Sequence, residues 1–150
     1  MTYAIQIITA ALGSLGFSVI FNSKKSMLPV LTAGGAVSWI VYLAAEFLGC
    51  GMTVCYFAAG AAATAYAEIF ARICKTPATT VLIPLVIPLV PGGMLYRTMK
   101  YLYISDFNTF ADMGTETLKV ATSIVIGIIL VSSLMKLVYL FIGKEIIRRR

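Results

Sequence analysis

The groups in this chain that could do chemistry are backbone groups of one apolar stretch, residues 79–97. Three prolines in that stretch lack an N–H and, in a helix, crowd the carbonyl four residues earlier. These prolines are Pro84, Pro88 and Pro91, and the carbonyls that they free are those of Thr80, Pro84 and Ile87. Positions three and four apart share one helical face, so the freed oxygens form a single stripe. Because an unpartnered carbonyl in hydrocarbon costs several kcal/mol, the stripe predicts a cavity rather than lipid beside it.

A glycine pair directly after the third proline starts a second helical run. The N-terminus of a helix presents free N–H groups and partial positive charge, which suit a carboxylate, and glycine lets the backbone approach a ligand closely. We therefore predict a carboxylate site at the N–H groups of Gly93, Met94 and Leu95. The next two side chains, Tyr96 and Arg97, add a hydroxyl and a cation. A kinked packing helix that binds nothing is the alternative. The predicted substrate-binding residues are Thr80, Pro84, Ile87, Pro88, Pro91, Gly92, Gly93, Met94, Tyr96 and Arg97.

The composition places the chain in a membrane. Of its 150 residues, 60% are hydrophobic and only 12% are charged, whereas soluble domains carry about a quarter charged residues. Five apolar runs each approach or exceed the roughly 18–20 residues that cross a bilayer as a helix. The sequence thus predicts one all-α transmembrane domain, 1–150, of about five helices, the fourth broken at Pro84, Pro88 and Pro91-Gly92-Gly93. The expected spans are residues 3–21, 27–48, 52–73, 79–103 and 116–142, followed by a basic tail at 143–150.

The residue types argue against several function classes. The formal net charge of +6 resides in loops and the tail, as membrane topology signals do, so we expect no nucleic-acid binding. Three cysteines without CxxC spacing and the lack of histidine argue against a metal site or a disulfide framework. An intramembrane enzyme needs a nucleophile with a base, or a set of metal ligands, and the sequence offers neither. We expect no enzymatic activity and no cofactor.

Small residues recur at helical spacing in the spans. In the third span, Ala59, Ala63 and Ala67 are four apart, beside Gly60 and Thr64. Such stripes let helices approach closely, and a helix this bare must be surrounded by other helices to gain packing contacts. The first span carries a similar stripe at Ala10, Ser14 and Ser18.

One pair of charged residues near a span end, Glu68 and Arg72, has two interpretations. Glu68 precedes Arg72 by four residues, the spacing of a helical ion pair. This pair is either a surface ion pair that contributes little to stability or a proton- or ion-coupling group at the mouth of a pathway.

Lys136, near the end of the last span, can snorkel to the interface. The polar residues 105–117 predict an extramembrane loop, with a helix start near Asp112 or Thr115.

Basic residues predict the orientation in the membrane, because Lys and Arg near span ends favour the cytoplasmic side. With five crossings, one side receives Lys24, Lys25, Arg72, Lys75 and the basic tail. The N-terminus is therefore expected outside and the C-terminus in the cytoplasm. Arg97 and Lys100 are exceptions, because they are expected towards the outer side. Their position favours either attraction of an anion or contact with lipid headgroups.

Three segments together resemble a known family. They are Phe21-Asn22 with Lys24-Lys25, the run Lys75-Thr76-Pro77-Ala78-Thr79, and the run from Ile87 to Tyr96. With them the chain resembles the threonine/serine exporter (ThrE) family, in the form of its small stand-alone membrane subunit. The resemblance covers nearly the whole chain, and the Pro-x-x-Pro-Gly-x-x-x-Tyr pattern is its most specific part.

The resemblance implies a subunit of a secondary transporter in the bacterial inner membrane. It implies proton-coupled export of a small carboxylate-bearing metabolite, either a threonine- or serine-type amino acid or a succinate-like dicarboxylate. It also implies a hetero-oligomer, since a second membrane subunit with the complementary half of the family is expected as partner. The alternative is a structural subunit that does not transport and only braces a membrane complex.

Overall fold

The computed structural model describes the backbone of residues 2–148 and the side chains of residues 3–139 and 141. Two residues of the predicted basic tail, Arg149 and Arg150, lie outside the described residues. The described part is all-helical, with short 3-10 turns at Lys25–Met27 and Ile87–Leu89. The α-helices are α1 (Thr2–Ile20), α2 (Leu28–Phe47), α3 (Met52–Ile73), α4 (Ala78–Val86), α5 (Gly92–Tyr103) and α6 (Phe107–Arg148).

The predicted all-α membrane architecture is confirmed. Among the described residues, four helices are long and apolar enough to cross a bilayer, namely α1, α2 with its preceding turn, α3 and most of α6. The fifth candidate span is the bent pair Ala78–Leu89 and Gly92–Tyr103, whose halves meet at 54°. The break predicted in the fourth span is therefore present.

Contacts between α3 and α6 show how the bent pair runs. A Cβ at Gly60 would lie 3.0 Å from the carbonyl of Ile124, and further along both helices Arg72 lies over the ring of Tyr139. Residue numbers thus rise together, so α3 and α6 are parallel. Two parallel spans need a crossing between them, so α4 and α5 together cross the membrane as one broken span and not as a re-entrant loop.

Helix α3 is the central helix, and it packs against α2, α4 and α6. Its alanine stripe, Ala59, Ala63 and Ala67, is at most 1% exposed. Larger side chains of the neighbouring helices, Leu31 of α2 and Val81 of α4 among them, complete the same buried cluster. The prediction that a helix with such small side chains is surrounded by other helices is confirmed. The small side chains leave space that residues of the neighbouring helices fill.

The backbones of α3 and α6 approach each other closely at two glycines. A Cβ added at Gly127 would lie 2.6 Å from the carbonyl oxygen of Phe57, and one at Gly60 would lie 3.0 Å from that of Ile124. Both neighbours are backbone atoms, which cannot rotate away as a side chain can. The two glycines therefore allow the backbones to touch.

Four helices end in the same hydrogen-bonded turn. After α1, the N–H of Ser23 donates to the carbonyl of Ser18 and that of Asn22 donates to the carbonyl of Val19, which is a Schellman motif. The same pair of bonds follows α2, α3 and α5. The residues with positive φ in these turns are Asn22, Gly49, Lys75 and Ser105. These tight turns keep the connections short.

The prediction of a loop at residues 105–117, with a helix start near Asp112 or Thr115, is wrong, because α6 begins at Phe107. Asp106 caps this helix, since its Oδ1 accepts a hydrogen bond from the backbone N–H of Thr109 at 3.2 Å. A cap satisfies one of the free N–H groups of a first turn. The polar residues that resembled a loop therefore form the first turns of a 42-residue helix, which is longer than a bilayer requires.

We expect Gly127→Ala to destabilise the fold, because the new methyl group meets the backbone of α3. The cost of overpacking is about 1–3 kcal/mol, seen as a lower thermal unfolding midpoint in detergent. Gly16→Ala is the matched control, since a Cβ there meets nothing within 4 Å. Equal midpoints for the two variants would contradict the close α3–α6 approach.

We expect Asp106→Ala to speed hydrogen exchange at the Thr109 amide, while Asp112→Ala, further along the same helix, leaves it unchanged. Hydrogen bonds from the side chain and backbone of Thr109 lower the pKa of the Asp106 carboxyl. The protection is therefore complete above the ordinary aspartate pKa of about 3.9 and is lost as the pH falls through the lower folded value. A protection factor of the Thr109 amide in the wild type, corrected for the intrinsic pH dependence of exchange, that does not fall with pH in this range would contradict the cap.

Candidate functional site

The break between α4 and α5 is built from two tight turns. A 3-10 turn, Ile87–Leu89, follows α4, and the N–H of Gly92 then donates to the carbonyl of Val90 at 2.7 Å. Pro91 lies between them with φ −76° and ψ 57°, which is an inverse γ-turn. The chain therefore changes direction at Pro91 and resumes as a helix at Gly92.

Two of the carbonyls that the prolines free have partners within the protein. The buried hydroxyl of Ser14 in α1 donates to the carbonyl of Pro84 at 2.9 Å. The carbonyl of Ile87 accepts from the N–H of Val90 at 3.1 Å. These two oxygens are thus not left unpaired, contrary to the sequence expectation, because a neighbouring helix and the 3-10 turn supply donors.

The N-terminus of α5 opens to the outside of this chain. Gly92 and Gly93 are exposed, and a Cβ at either would meet nothing within 4 Å. The N–H of Leu95 donates to the carbonyl of Pro91 at 3.0 Å, so this group, predicted to bind a ligand, serves the helix. Among the backbone bonds of the described residues, none is donated by Gly93 or Met94 outside the helix.

The structure divides the predicted substrate-binding residues into two sets. One set faces the protein interior, and the other faces outward. The inward set is Pro84, Ile87, Pro88, Pro91 and Met94, and the outward set is Thr80, Gly92, Gly93, Tyr96 and Arg97. Tyr96 is 73% exposed. The described chain alone does not enclose the two sets in one pocket, and their role in binding stays a prediction.

A small cavity lies beside the break on the α1 side. Its volume is about 210 Å³, and Pro88 forms one wall together with neutral groups that include Gln6 and Trp39. The indole N–H of Trp39 donates to Oε1 of Gln6 at 3.3 Å. All the lining residues are neutral, so the cavity presents no charged side chain to a ligand.

A second cavity, of about 280 Å³, lies between α3, the start of α4, and α6. It contains two side chains of opposite charge, Glu68 and Lys136, and three hydroxyl groups. Its polar lining residues are Thr64, Glu68, Thr79, Ser132 and Lys136. We call it the charged cavity. Sites for small molecules combine a concave shape with a few polar groups that converge, and the charged cavity meets both conditions.

Glu68 is held at the edge of the charged cavity by an ion pair. Its Oε2 lies 3.3 Å from the Arg72 guanidinium, and the Glu68 side chain is only 13% exposed, against 47% for Arg72. Arg72 in turn lies over the Tyr139 ring, 3.0 Å from its centroid, a cation–π contact. The predicted helical ion pair is present, and its role in coupling stays a prediction.

Four of the polar residues in the charged cavity were not predicted as site residues: Thr64, Thr79, Ser132 and Lys136. A signal for them exists in the sequence. Thr64 and Glu68 are four apart in α3, and Ser132 and Lys136 are four apart in α6, so each pair shares a helical face. What the sequence could not show is that these two faces meet. Lys136, interpreted from the sequence as a snorkelling residue, lines the cavity more than three turns before the end of α6.

The chain was also compared with known proteins. A family model described as "Threonine/Serine exporter, ThrE" matches residues 6–134. This range contains the break, the glycine pair and all the polar residues of the charged cavity except Lys136, which lies just beyond its end. No curated protein and no solved structure matches the chain.

We expect Ser14→Ala to destabilise the break, because it leaves the buried carbonyl of Pro84 without a donor. An unsatisfied buried acceptor costs about 1–3 kcal/mol, measured by thermal unfolding in detergent. Ser18→Ala is the matched control, since Ser18 is also buried but its hydroxyl donates within its own helix, to the carbonyl of Ser14. Equal losses in the two variants would contradict a bracing role for Ser14.

Proposed function

This chain belongs to the threonine/serine exporter family, and from that premise we propose that it is a membrane subunit of a secondary transporter. The exported cargo is a small hydrophilic metabolite, either a threonine- or serine-type amino acid or a succinate-like dicarboxylate. The observation that supports this most strongly is a broken span whose first half, α4, also lines the charged cavity. Discontinuous helices of this kind build the substrate sites of secondary transporters.

The family and the apolar helices make the chain a multi-pass membrane protein. A transporter family favours a transport function over an enzymatic one. We place the protein in the bacterial inner membrane with its N-terminus outside and its C-terminus in the cytoplasm, because the basic residues between spans lie mostly on one side. In this orientation the charged cavity lies near the cytoplasmic end of α3, where an exported metabolite enters.

The exposed N-terminus of α5 supports a second subunit. Free N–H groups cannot face acyl chains without a large cost, so either water or another polypeptide covers Gly93 and Met94. We propose that a second membrane subunit of the same family covers this end and completes the pathway. Rocking of the two subunits against each other then opens the site to the two sides of the membrane in turn.

A substrate carboxylate at the N-terminus of α5 would meet hydrogen-bond donors and positive charge. The N–H groups of Gly93 and Met94 and the positive end of the α5 dipole attract an anion. Tyr96 and Arg97 follow in the same helix and face outward, towards the same second subunit. Proton coupling is part of this proposal, with Glu68 as the proton carrier and Arg72 as its partner.

The proposal is tested by efflux of serine, threonine and succinate from cells that express this chain, the second subunit, or both. Efflux that needs both chains is the expected result. Efflux with the second subunit alone, unchanged by this chain, would show that this chain only braces a complex.

We expect Gly93→Leu to lower this efflux at least tenfold, because its side chain blocks the approach of a ligand to the α5 N-terminus. The fold of this chain should tolerate the substitution, since a Cβ at Gly93 meets nothing within 4 Å, and co-purification with the second subunit reports assembly. Gly16→Leu, in an equally open position, controls for bulk in a membrane helix. Normal efflux from Gly93→Leu would contradict the predicted carboxylate site.

A further inference from the structure

The charged cavity has a charge pattern that the break does not have. Glu68 uses Oε2 for its contact with Arg72, and its Oε1 accepts no hydrogen bond from a described residue. This oxygen is therefore available to a cationic group. Because the Glu68 side chain is 13% exposed, a ligand there would interact with it at low effective dielectric, where ionic contacts are strong.

Lys136 supplies the opposite charge. Its exposed side chain lines the same cavity, and no described carboxylate lies within ion-pair distance of its ammonium group. An ammonium group in a cavity of a membrane protein is stable when an anion or water accompanies it. A ligand carboxylate would provide that anion.

The cavity size and the hydroxyl groups further narrow the range of ligands that the cavity could bind. A volume of about 280 Å³ lies near the lower end of the range for small-molecule sites, which is roughly 300–1,000 Å³. The Thr64 hydroxyl already donates to the carbonyl of Gly60 at 2.8 Å, so its oxygen can only accept. Thr79 and Ser132 add two hydroxyls without a hydrogen bond among the described residues. A small ligand with its own hydroxyl group finds partners here.

The two charges also discriminate between ligands. A dicarboxylate could place one carboxylate at Lys136, but its second carboxylate would lie near that of Glu68, and like charges in a partly buried site repel each other. A simple cation would meet Glu68 but would be repelled by Lys136. A zwitterion with an ammonium group and a carboxylate satisfies both side chains.

We propose that the charged cavity binds a small zwitterionic α-amino acid, its ammonium group at Oε1 of Glu68 and its carboxylate at the ammonium group of Lys136. The ion pair with Arg72 orients the Glu68 carboxylate and leaves Oε1 free. This inference rests on the proposed transport function for its biological meaning. The binding site itself can be tested without transport.

The test measures equilibrium binding of radiolabelled L-serine and of succinate to the full-length protein, purified with its second subunit in lipid nanodiscs. We expect the wild type to bind serine at least tenfold more tightly than succinate. Glu68→Gln should weaken serine binding at least tenfold and reduce the preference over succinate. Lys136→Met should weaken the binding of both ligands.

The matched controls are Glu116→Gln and Lys119→Met. These residues form an exposed ion pair on α6, 2.8 Å apart, so the same charges are removed away from the cavity, and serine binding should be unchanged. The thermal unfolding midpoint of each variant reports folding. If Glu68→Gln unfolds, Glu68→Asp, which keeps the charge, should restore both the midpoint and at least part of the serine binding.

Three results would overturn the site assignment: no serine binding to the wild type, serine binding unaffected by both substitutions, or tighter binding of succinate than of serine. Efflux measured in parallel separates this failure from failure of the transport function. Efflux that persists while the cavity variants behave as wild type rejects only the cavity. Serine binding that depends on Glu68 and Lys136, without efflux, rejects only transport.

Discussion

A carbonyl freed by proline inside a bilayer needs a hydrogen-bond donor from somewhere other than its own helix. In this protein two of the three freed carbonyls have such a donor, and for Pro84 the donor is the hydroxyl of Ser14 in α1. The contact holds α1 against α4 at the place where the broken span would otherwise carry an unpaired polar group. A 3-10 turn serves the carbonyl of Ile87. With these groups satisfied, the chain can turn at Pro91 and begin a new helix inside the membrane.

The second constraint comes from the small residues of α3. Gly60 and Gly127 let the backbones of α3 and α6 touch, and the alanine stripe admits α4 on a neighbouring side. Further along, the same two helices carry polar side chains in place of glycine and line the charged cavity. These side chains are Thr64, Glu68, Ser132 and Lys136. Close packing at one level and polar side chains at the next thus place a cation and an anion on opposite walls of one small space. The broken span takes part in this arrangement through its first half, since Thr79 at the start of α4 lines that cavity.

Much of the fold could be predicted from the sequence, because proline placement, apolar length and small-residue spacing are local signals. The buried stripe of α3 is present, and so is the break, although it lies between Ile87 and Pro91 while α4 continues through Pro84. The predicted start of α6 was wrong because acidic residues such as those at 106–116 are typical of loops. In the structure Asp106 is a helix cap, and the other acidic residues lie on the exposed surface of the first turns. The pairing of Ser14 with Pro84 and the meeting of Glu68 with Lys136 could not be read from the sequence, since both depend on how distant helices register. The same limit explains why the predicted substrate-binding residues separate into an inward and an outward set.

The central claim is that the broken span borders a water-filled pathway and not lipid. It is tested most directly by labelling single cysteines with a membrane-impermeant thiol reagent, after replacement of Cys50, Cys55 and Cys74 and in the presence of the second subunit. We expect rapid labelling of cysteine at Thr79 and at Gly93, and none at Ile129, an exposed apolar position in the middle of α6. Cysteines at Thr79 and Gly93 as inert as that at Ile129 would contradict the account and make the broken span a kinked helix surrounded by lipid.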